Sequence, residues 1–504
     1  MKLTTVLTLG ATGMVATAAA VWFAVDPARP AAASAARGAP GASSLLATGQ
    51  PDRPVKPPGP PPVDHSHFQA GKTLMVEGRL GHQVLPADTD SETFLFVDIN
   101  ADAAAQAPHP APLDLAVVID RSGSMKGKRL ANAMAATRTA IERLRDGDVV
   151  SVVTYDTRAD VVVPPTAIDA TSRARVLRQL ARPMAGGDTC ISCGIDAAMQ
   201  LLGQRPEMVS RVLLLSDGFA TAGVRDLPGF RRIADDVRRL GASITTIGVD
   251  VGYDEKVMAA LARDSNGDHF FVPDAATLPG IFDREMASLT RTVANHADLV
   301  VDLAPGVFVE HVYDRVSTGG SGQVIVPFGA FTAGDHKTAL LRLQVPRGAA
   351  GEHAIATVRL RYDDLVTEKP GACEGNLALR TSTDAAEVTP LDGIVSARVS
   401  ASETAEALEN ANELFRQGRT LEATQLIQQQ NMHMEMEHMR ARKEVEPMRM
   451  HDVDDAFLMQ KAAMDKADLG FQPATAAAPA PTVGDRQAEA QARSNQAGAL
   501  KLEE

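Results

Sequence analysis

Asp120, Ser122 and Ser124 occupy alternate positions directly after the mostly apolar run 113–119, so one strand tip gathers a carboxylate and two hydroxyls. Oxygen donors of this kind suit a hard, magnesium-like cation, which takes six oxygens in tight octahedral geometry and usually keeps several waters. Alone, Asp-x-Ser-x-Ser is a weak pattern, because short polar loops after strands are common. Two further stretches strengthen it. Gly186-Gly187-Asp188-Thr189 offers a third hydroxyl on a flexible loop, and Leu213-Leu214-Leu215-Ser216-Asp217-Gly218 ends a second apolar run in a carboxylate.

Other reactive side chains lie elsewhere. Cys190-Ile191-Ser192-Cys193 directly follows Thr189. Zinc needs about four ligands, and neither a second cysteine pair nor a convergent histidine accompanies this one. A local disulfide or two packed thiols would stiffen the loop. A redox pair is the alternative, since a helix start at this point would lower the first thiol's pKa. Cys373 is left over, either buried or free. Met432-His433-Met434-Glu435-Met436-Glu437-His438-Met439, with Met448, Met450 and His451 beyond it, concentrates soft donors of the kind that select Cu(I). Met432, Met436 and Met439 also fall at helical spacing, as a stripe packing into the core or a partner groove would. Neither Gly-x-Ser-x-Gly nor His-Glu-x-x-His nor a phosphate loop occurs.

The elements that must position these residues follow from periodicity. Apolar runs at 113–119, 149–155, 211–216, 243–249 and 269–272 alternate with helical patterns at 129–144, 171–180, 195–202, 230–240, 255–262 and 278–289. Nearly continuous apolar strands separated by amphipathic helices imply a doubly wound, mostly parallel sheet covered on both faces. Ligands bind beyond the carboxyl ends of such strands, where Asp120 and Asp217 fall.

The flanks differ. Residues 1–25 are one apolar run after Lys2, long enough for a signal peptide or an N-terminal membrane anchor, and either exports the rest. Residues 26–62 form a Pro/Ala-rich linker. Within 63–109, strands at 73–84 and 93–99 lack partners in the parallel sheet. They are expected to join an antiparallel β-sandwich at 297–383, where Ala356, Val358, Leu360 and Tyr362 alternate with polar residues. The α/β region, 110–292, would then be an insertion in that sandwich. A helical segment spans 388–470. Ala411, Leu414, Phe415, Gly418, Leu421 and Ala423 resemble one tetratricopeptide hairpin, but a single copy cannot bury its own face, and a helical hairpin on the sandwich is expected. The tail, 471–504, reads as disordered.

Taken in order, Asp120, Ser122, Ser124, Thr189 and Asp217 resemble the metal-ion-dependent adhesion site of von Willebrand factor A domains, and all five positions match. The resemblance implies a Rossmann-like fold in which Ser122, Ser124 and Thr189 contact the metal directly, while Asp120 and Asp217 act mainly through bound waters. Neutral hydroxyl ligands leave the cation under-neutralised, so a carboxylate from a partner can complete its coordination. Ile247-Gly248-Val249, a helix, and then His269-Phe270-Phe271-Val272-Pro273 look like the closing strands of secreted bacterial A domains. The competing structural reading has the same polar residues merely capping the helix expected at Arg129.

The chain has 504 residues, enough for two or three domains. With 50 basic and 63 acidic side chains its formal charge is -13, and without a Lys/Arg cluster nucleic acid is not expected as a partner. The expectation is an exported, non-enzymatic binding protein of the bacterial envelope, periplasmic, inner-membrane anchored or secreted. It would engage an Asp or Glu of a protein partner through Mg²⁺, Ca²⁺ or Mn²⁺. An envelope scaffold or assembly factor with an idle metal site is the alternative. A metal-dependent hydrolase ranks below both, because neither a histidine nor a further carboxylate stands near the motifs as base.

Overall fold

Four strands precede the α/β region: β1 (His67–Gly71), β2 (Leu74–Leu80), β3 (Val84–Pro86) and β4 (Ser91–Ala101). The computed structural model describes residues 65–180, 183–203, 205, 207–250, 252–320, 322–471 and 486–503. The apolar run and the linker expected at 1–25 and 26–62 lie outside them. The strand expected at 73–84 divides at Gly81, where a Cβ would sit 2.7 Å from Leu391 Cδ1 and 3.2 Å from the Phe94 nitrogen.

The α/β region runs β5 (Leu113–Asp120), α1 (Lys128–Arg143), β6 (Val149–Tyr155), β7 (Ala159–Ala167), α2 (Ala170–Gln179), α3 (Ile191–Leu201), β8 (Val209–Ser216), α4 (Leu227–Arg239), β9 (Ala242–Val249), α5 (Glu255–Asp264), β10 (His269–Val272) and α6 (Leu278–Leu289). Its sheet has the order β10-β9-β8-β5-β6-β7, parallel except for β7. Successive residues of a strand point to opposite faces. Leu115, Val117 and Ile119 accordingly pack with α1 and α6, while Ala116 and Val118 pack with α3, α4 and α5. The edge strand β7 escapes the periodicity because Pro164 and Pro165 interrupt it, as an edge position permits.

The chain continues through β11 (Thr292–Leu303), β12 (Phe308–Tyr313), β13 (Thr318–Gly320), β14 (Gln323–Thr332), β15 (His336–Val345), β16 (Gly351–Asp364) and β17 (Lys369–Ser382). These strands and the first four build two sheets, β1-β2-β4-β15-β12 and β13-β14-β11-β16-β17-β3. β4 pairs with β15 from Ser91–Val345 to Asn100–His336, and β3 runs parallel to β17. The α/β region is therefore inserted in a sandwich whose core joins Leu95, Ile99, Leu341 and Leu343 to Leu299, Val301, Val358 and Leu360.

Alternate residues of β4 and β15, Phe96 and Leu340, face outward and pack against helices. Those helices are α7 (Gly393–Arg416), α8 (Thr420–Ala441), α9 (Met450–Phe471) and α10 (Arg486–Glu503). The last corrects the expectation of a disordered tail over 486–503, while 472–485 lie outside the described residues. Alanine is the strongest helix former, and Ala492, Ala499 and Leu502 of α10 enter one core with Ala401, Leu408 and Phe471. Of the two packing readings of the methionine stripe, the core one is corrected. Met432, Met436 and Met439 are 62%, 48% and 62% exposed, and α8 packs through Ala423, Ile427, Met434 and Ala441 instead. The neighbouring imidazoles turn to carboxylates, His438 to Asp454 at 2.7 Å and His433 to Glu403 at 3.4 Å. Among the described residues no helix is long and apolar enough to cross a membrane.

Candidate metal site

Asp120 is the last residue of β5 and has no solvent exposure. A carboxylate so placed must be held by donors. Its Oδ1 accepts from the Ser122 backbone N–H at 2.7 Å, and its Oδ2 accepts from the Ser216 hydroxyl at 2.8 Å and from Tyr155 OH at 3.4 Å. Burial pushes its pKa up to about 6, against the hydrogen bonds from Ser122 and Ser216, and the neighbouring Asp217 adds to the rise.

Ser122 Oγ and Ser124 Oγ lie 3.0 Å apart, and Ser124 Oγ donates to Asp217 Oδ1 at 2.6 Å. Asp217 follows β8, and burial raises its pKa as well, against the pull of Ser124 and Arg129. Thr189 is brought in by the backbone. Gly123 N donates to Gly187 O at 3.3 Å, and Gly186 N to Arg121 O at 2.9 Å, so the two loops are stitched together. Gly187 has φ +81°, and a Cβ on it would press 2.9 Å from Thr157 Oγ1. Only glycine meets both demands. A Cβ on Gly218 would stand 3.6 Å from both Ser124 Oγ and Thr189 Oγ1. The three hydroxyls and two carboxylates named from the sequence are thus neighbours at the carboxyl edge of the sheet.

The capping alternative does not describe this geometry. The residue before α1 is Gly127, which has no side chain to offer, and Ser122 makes no side-chain cap to the short 3₁₀ turn Gly123–Met125. The hydroxyls point to one another and to Asp217 instead.

Four participants went unread in the sequence. Ser216 and Tyr155 hold Asp120. Arg129 donates to Asp217 Oδ2 at 3.1 Å and to Ser124 O at 2.9 Å, and it also pairs with Asp250. The expectation that no further carboxylate approaches is therefore corrected. Asp250 directly follows β9, and the rule that singled out Asp120 and Asp217 would have found it. Arg129 carries no such signal, being one of many arginines on helices.

Cys190 and Cys193 form a disulfide with Cα atoms 5.3 Å apart at the start of α3, and Cys373 is free and buried. The bridge touches the site's other loop. Thr189 O accepts from Thr221 N at 2.9 Å, Val224 N donates to Ser192 Oγ at 3.1 Å, and a Cβ on Gly223 would lie 2.6 Å from Cys190 Sγ.

Residues 114–284 match the model for the von Willebrand factor type A domain. This region is a von Willebrand factor type A domain. Solved structures share the fold beyond it. A von Willebrand factor type A protein from Catenulispora acidiphila aligns with TM-score 0.60 and 20% identity, covering 76% of this chain and 93% of its own. The ArnB paralog VWA2 from Sulfolobus acidocaldarius aligns with TM-score 0.55 and 16% identity, covering 85% and 99%. In sequence the chain is 25% identical over 264 residues to an uncharacterised Synechocystis protein, spanning 50% of this chain and 62% of that relative.

The A domain's donor set is all oxygen, the ligand class of Mg²⁺. Two buried carboxylates with raised pKa values against one arginine leave negative charge for a cation to offset. Among the described residues no group of three or more His, Cys, Asp and Glu could hold a metal ion. At this sheet edge the converging oxygens are mostly hydroxyls, those of Ser122, Ser124 and Thr189.

Proposed function

We propose that the A domain binds a divalent cation, Mg²⁺ or else Ca²⁺ or Mn²⁺, through Ser122, Ser124 and Thr189, with Asp120 and Asp217 acting behind them. The cation then bridges to an Asp or Glu carboxylate of a protein partner at the cell envelope. The observation that carries this reading is the convergence of Ser122 Oγ, Ser124 Oγ and Asp217 Oδ1 within 3.0 Å and 2.6 Å contacts, with Gly218 leaving Thr189 Oγ1 close by. Neutral hydroxyls leave a dication hungry for an anionic ligand, which makes a docking role the natural one.

The protein acts in this reading as a binding protein and not as an enzyme. Asp250, the added carboxylate, is engaged by Arg129. Export rests on the apolar run 3–25, which would deliver the A domain to the periplasm or cell surface. One observation favours a scaffold with an idle site as the second reading: Arg129 already neutralises Asp217.

A pull-down from envelope extract with and without EDTA separates the two. Metal-bridged docking predicts partners lost on chelation and lost equally with Asp120→Ala. Partners indifferent to both would reject it in favour of the scaffold.

A further inference from the structure

The A domain, the sandwich and α10 enclose a cavity of about 520 Å³ at the end of the sheet opposite the metal site. Arg211, near the start of β8, lines it. Asp217 lies six residues farther along, about 20 Å away in an extended chain. The volume falls within the roughly 300–1,000 Å³ of small-molecule sites.

Cations outnumber anions on its walls, with six Arg and Lys side chains against four Asp and Glu. Two of the four carboxylates are committed elsewhere. Asp314 accepts from Arg398 Nη2 at 3.0 Å and Ser402 Oγ at 2.6 Å, and Asp335 accepts from Thr332 N at 2.7 Å. Glu285 is buried and accepts from Thr245 Oγ1 at 2.7 Å, and burial raises its pKa against the pull of Arg211.

Arg211 is the buried cation of the set, with Lys337 and Arg315 half-buried beside it. Arg211 is 6% exposed, and its Nε is buried without a hydrogen-bond partner, 4.0 Å from Glu285. Lys337 Nζ donates to Ala330 O at 2.7 Å and Phe328 O at 3.3 Å and lies 4.6 Å from the centre of the Phe331 ring. Burial holds its pKa down at about 8. Arg315 donates from Nε to Thr338 O and lies 4.5 Å above the Phe328 ring. Buried positive charge is costly unless an anion accompanies it. Arginine forks beside a lysine point charge match the oxygens of a phosphate.

We infer that this cavity binds a small phosphate-bearing molecule, its phosphate held by Arg211 and Lys337 with Arg315 beside them, and Arg284 and Lys501 at the mouth. Phe270, Phe271 and Ile281 supply an apolar wall for the rest of the ligand. The site is separate from the metal and does not depend on the docking reading.

The test is calorimetric titration of the full chain with inorganic pyrophosphate in buffer free of divalent metal. Saturable binding is expected, weakened about tenfold or more by Lys337→Met. Arg284→Gln, at an exposed position, should weaken it several-fold and keeps the test available if Lys337→Met does not fold. Mg²⁺ binding should be unchanged in both variants, which separates failure here from failure of the metal reading. Absence of saturation at millimolar pyrophosphate, or equal affinity in wild type and both variants, would overturn the inference.

Discussion

The Ser124 hydroxyl donates to Asp217 Oδ1 across 2.6 Å, joining two strand-tip loops 93 residues apart in sequence. That contact aligns a neutral donor oxygen with the carboxylate that would steady a metal-bound water. Ser124→Ala removes both the oxygen and the alignment. Since hydrogen bonds to charged groups contribute about 1.5–3 kcal/mol, Mg²⁺ affinity should fall about tenfold or more. Isothermal titration with near-unchanged circular dichroism checks this, and wild-type affinity in the variant would contradict it.

Arg129 pairs with Asp217 and Asp250 on the rim of the site, its side chain 36% exposed. In the proposed docking role it would compete with the metal as a resident cation. Arg129→Gln should therefore tighten Mg²⁺ binding several-fold while lowering stability in metal-free buffer. Paired thermal melts with and without Mg²⁺ measure both effects. Weaker Mg²⁺ binding would instead make Arg129 an organiser of the site.

The Cys190–Cys193 disulfide ties Thr189 to the 221–224 loop through Gly223 and Ser192. Reduction by a dithiol converts the bridge to two thiols as the reductant becomes a disulfide. Cys193 is the more exposed sulfur and the one open to attack. Reduced, alkylated protein should bind Mg²⁺ several-fold more weakly than oxidised protein, with Cys373 buried and unreacted in the native state. Equal affinities would leave the bridge a purely structural brace.

His269 is neutral in the fold. Burial lowers its pKa to about 4, and Arg493 pushes the same way, while its ring nitrogens bond Thr246 Oγ1 at 2.8 Å and Tyr253 OH at 3.1 Å. With the folded pKa below the unfolded value, its stabilisation is present above about pH 6.5 and is lost as pH falls toward 4. Between pH 8 and 5 the loss is on the order of 2 kcal/mol. Urea melts of wild type and His269→Gln should show the difference in slope, and parallel curves would contradict it.

Glu255 of α5 is 1% exposed and is shared by Arg416 of α7 and Arg493 of α10, the latter at 2.8 Å. It fastens the A domain to the helices. Glu255→Gln leaves two guanidinium groups without the carboxylate they share and should destabilise by about 3 kcal/mol. Chemical denaturation checks this, and a change within error would show the clamp to be energetically idle.

Much of this architecture was legible in the residues. Alternation along 356–362 marked a half-buried strand. The unpartnered strands before 113 marked an insertion, and β4 and β3 do pair with β15 and β17. The convergence of the five candidate residues was legible because carboxylates and hydroxyls at the ends of apolar strands have few structural reasons to cluster. What escaped was set by tertiary contact. Pro164 and Pro165 disguised β7 as a loop, and the polar, alanine-rich α10 is a helix with a face to bury against α7 and α9. Met432, Met436 and Met439 share helical spacing yet face solvent, because periodicity identifies a face without saying which way it turns.

Whether the A domain holds a cation is decided by calorimetric titration of metal-free protein with Mg²⁺, repeated with Asp120→Ala and Asp217→Ala. One saturable site is expected in the wild type and its loss in both variants, with the fold retained. No binding at millimolar Mg²⁺, or binding indifferent to both substitutions, would contradict it.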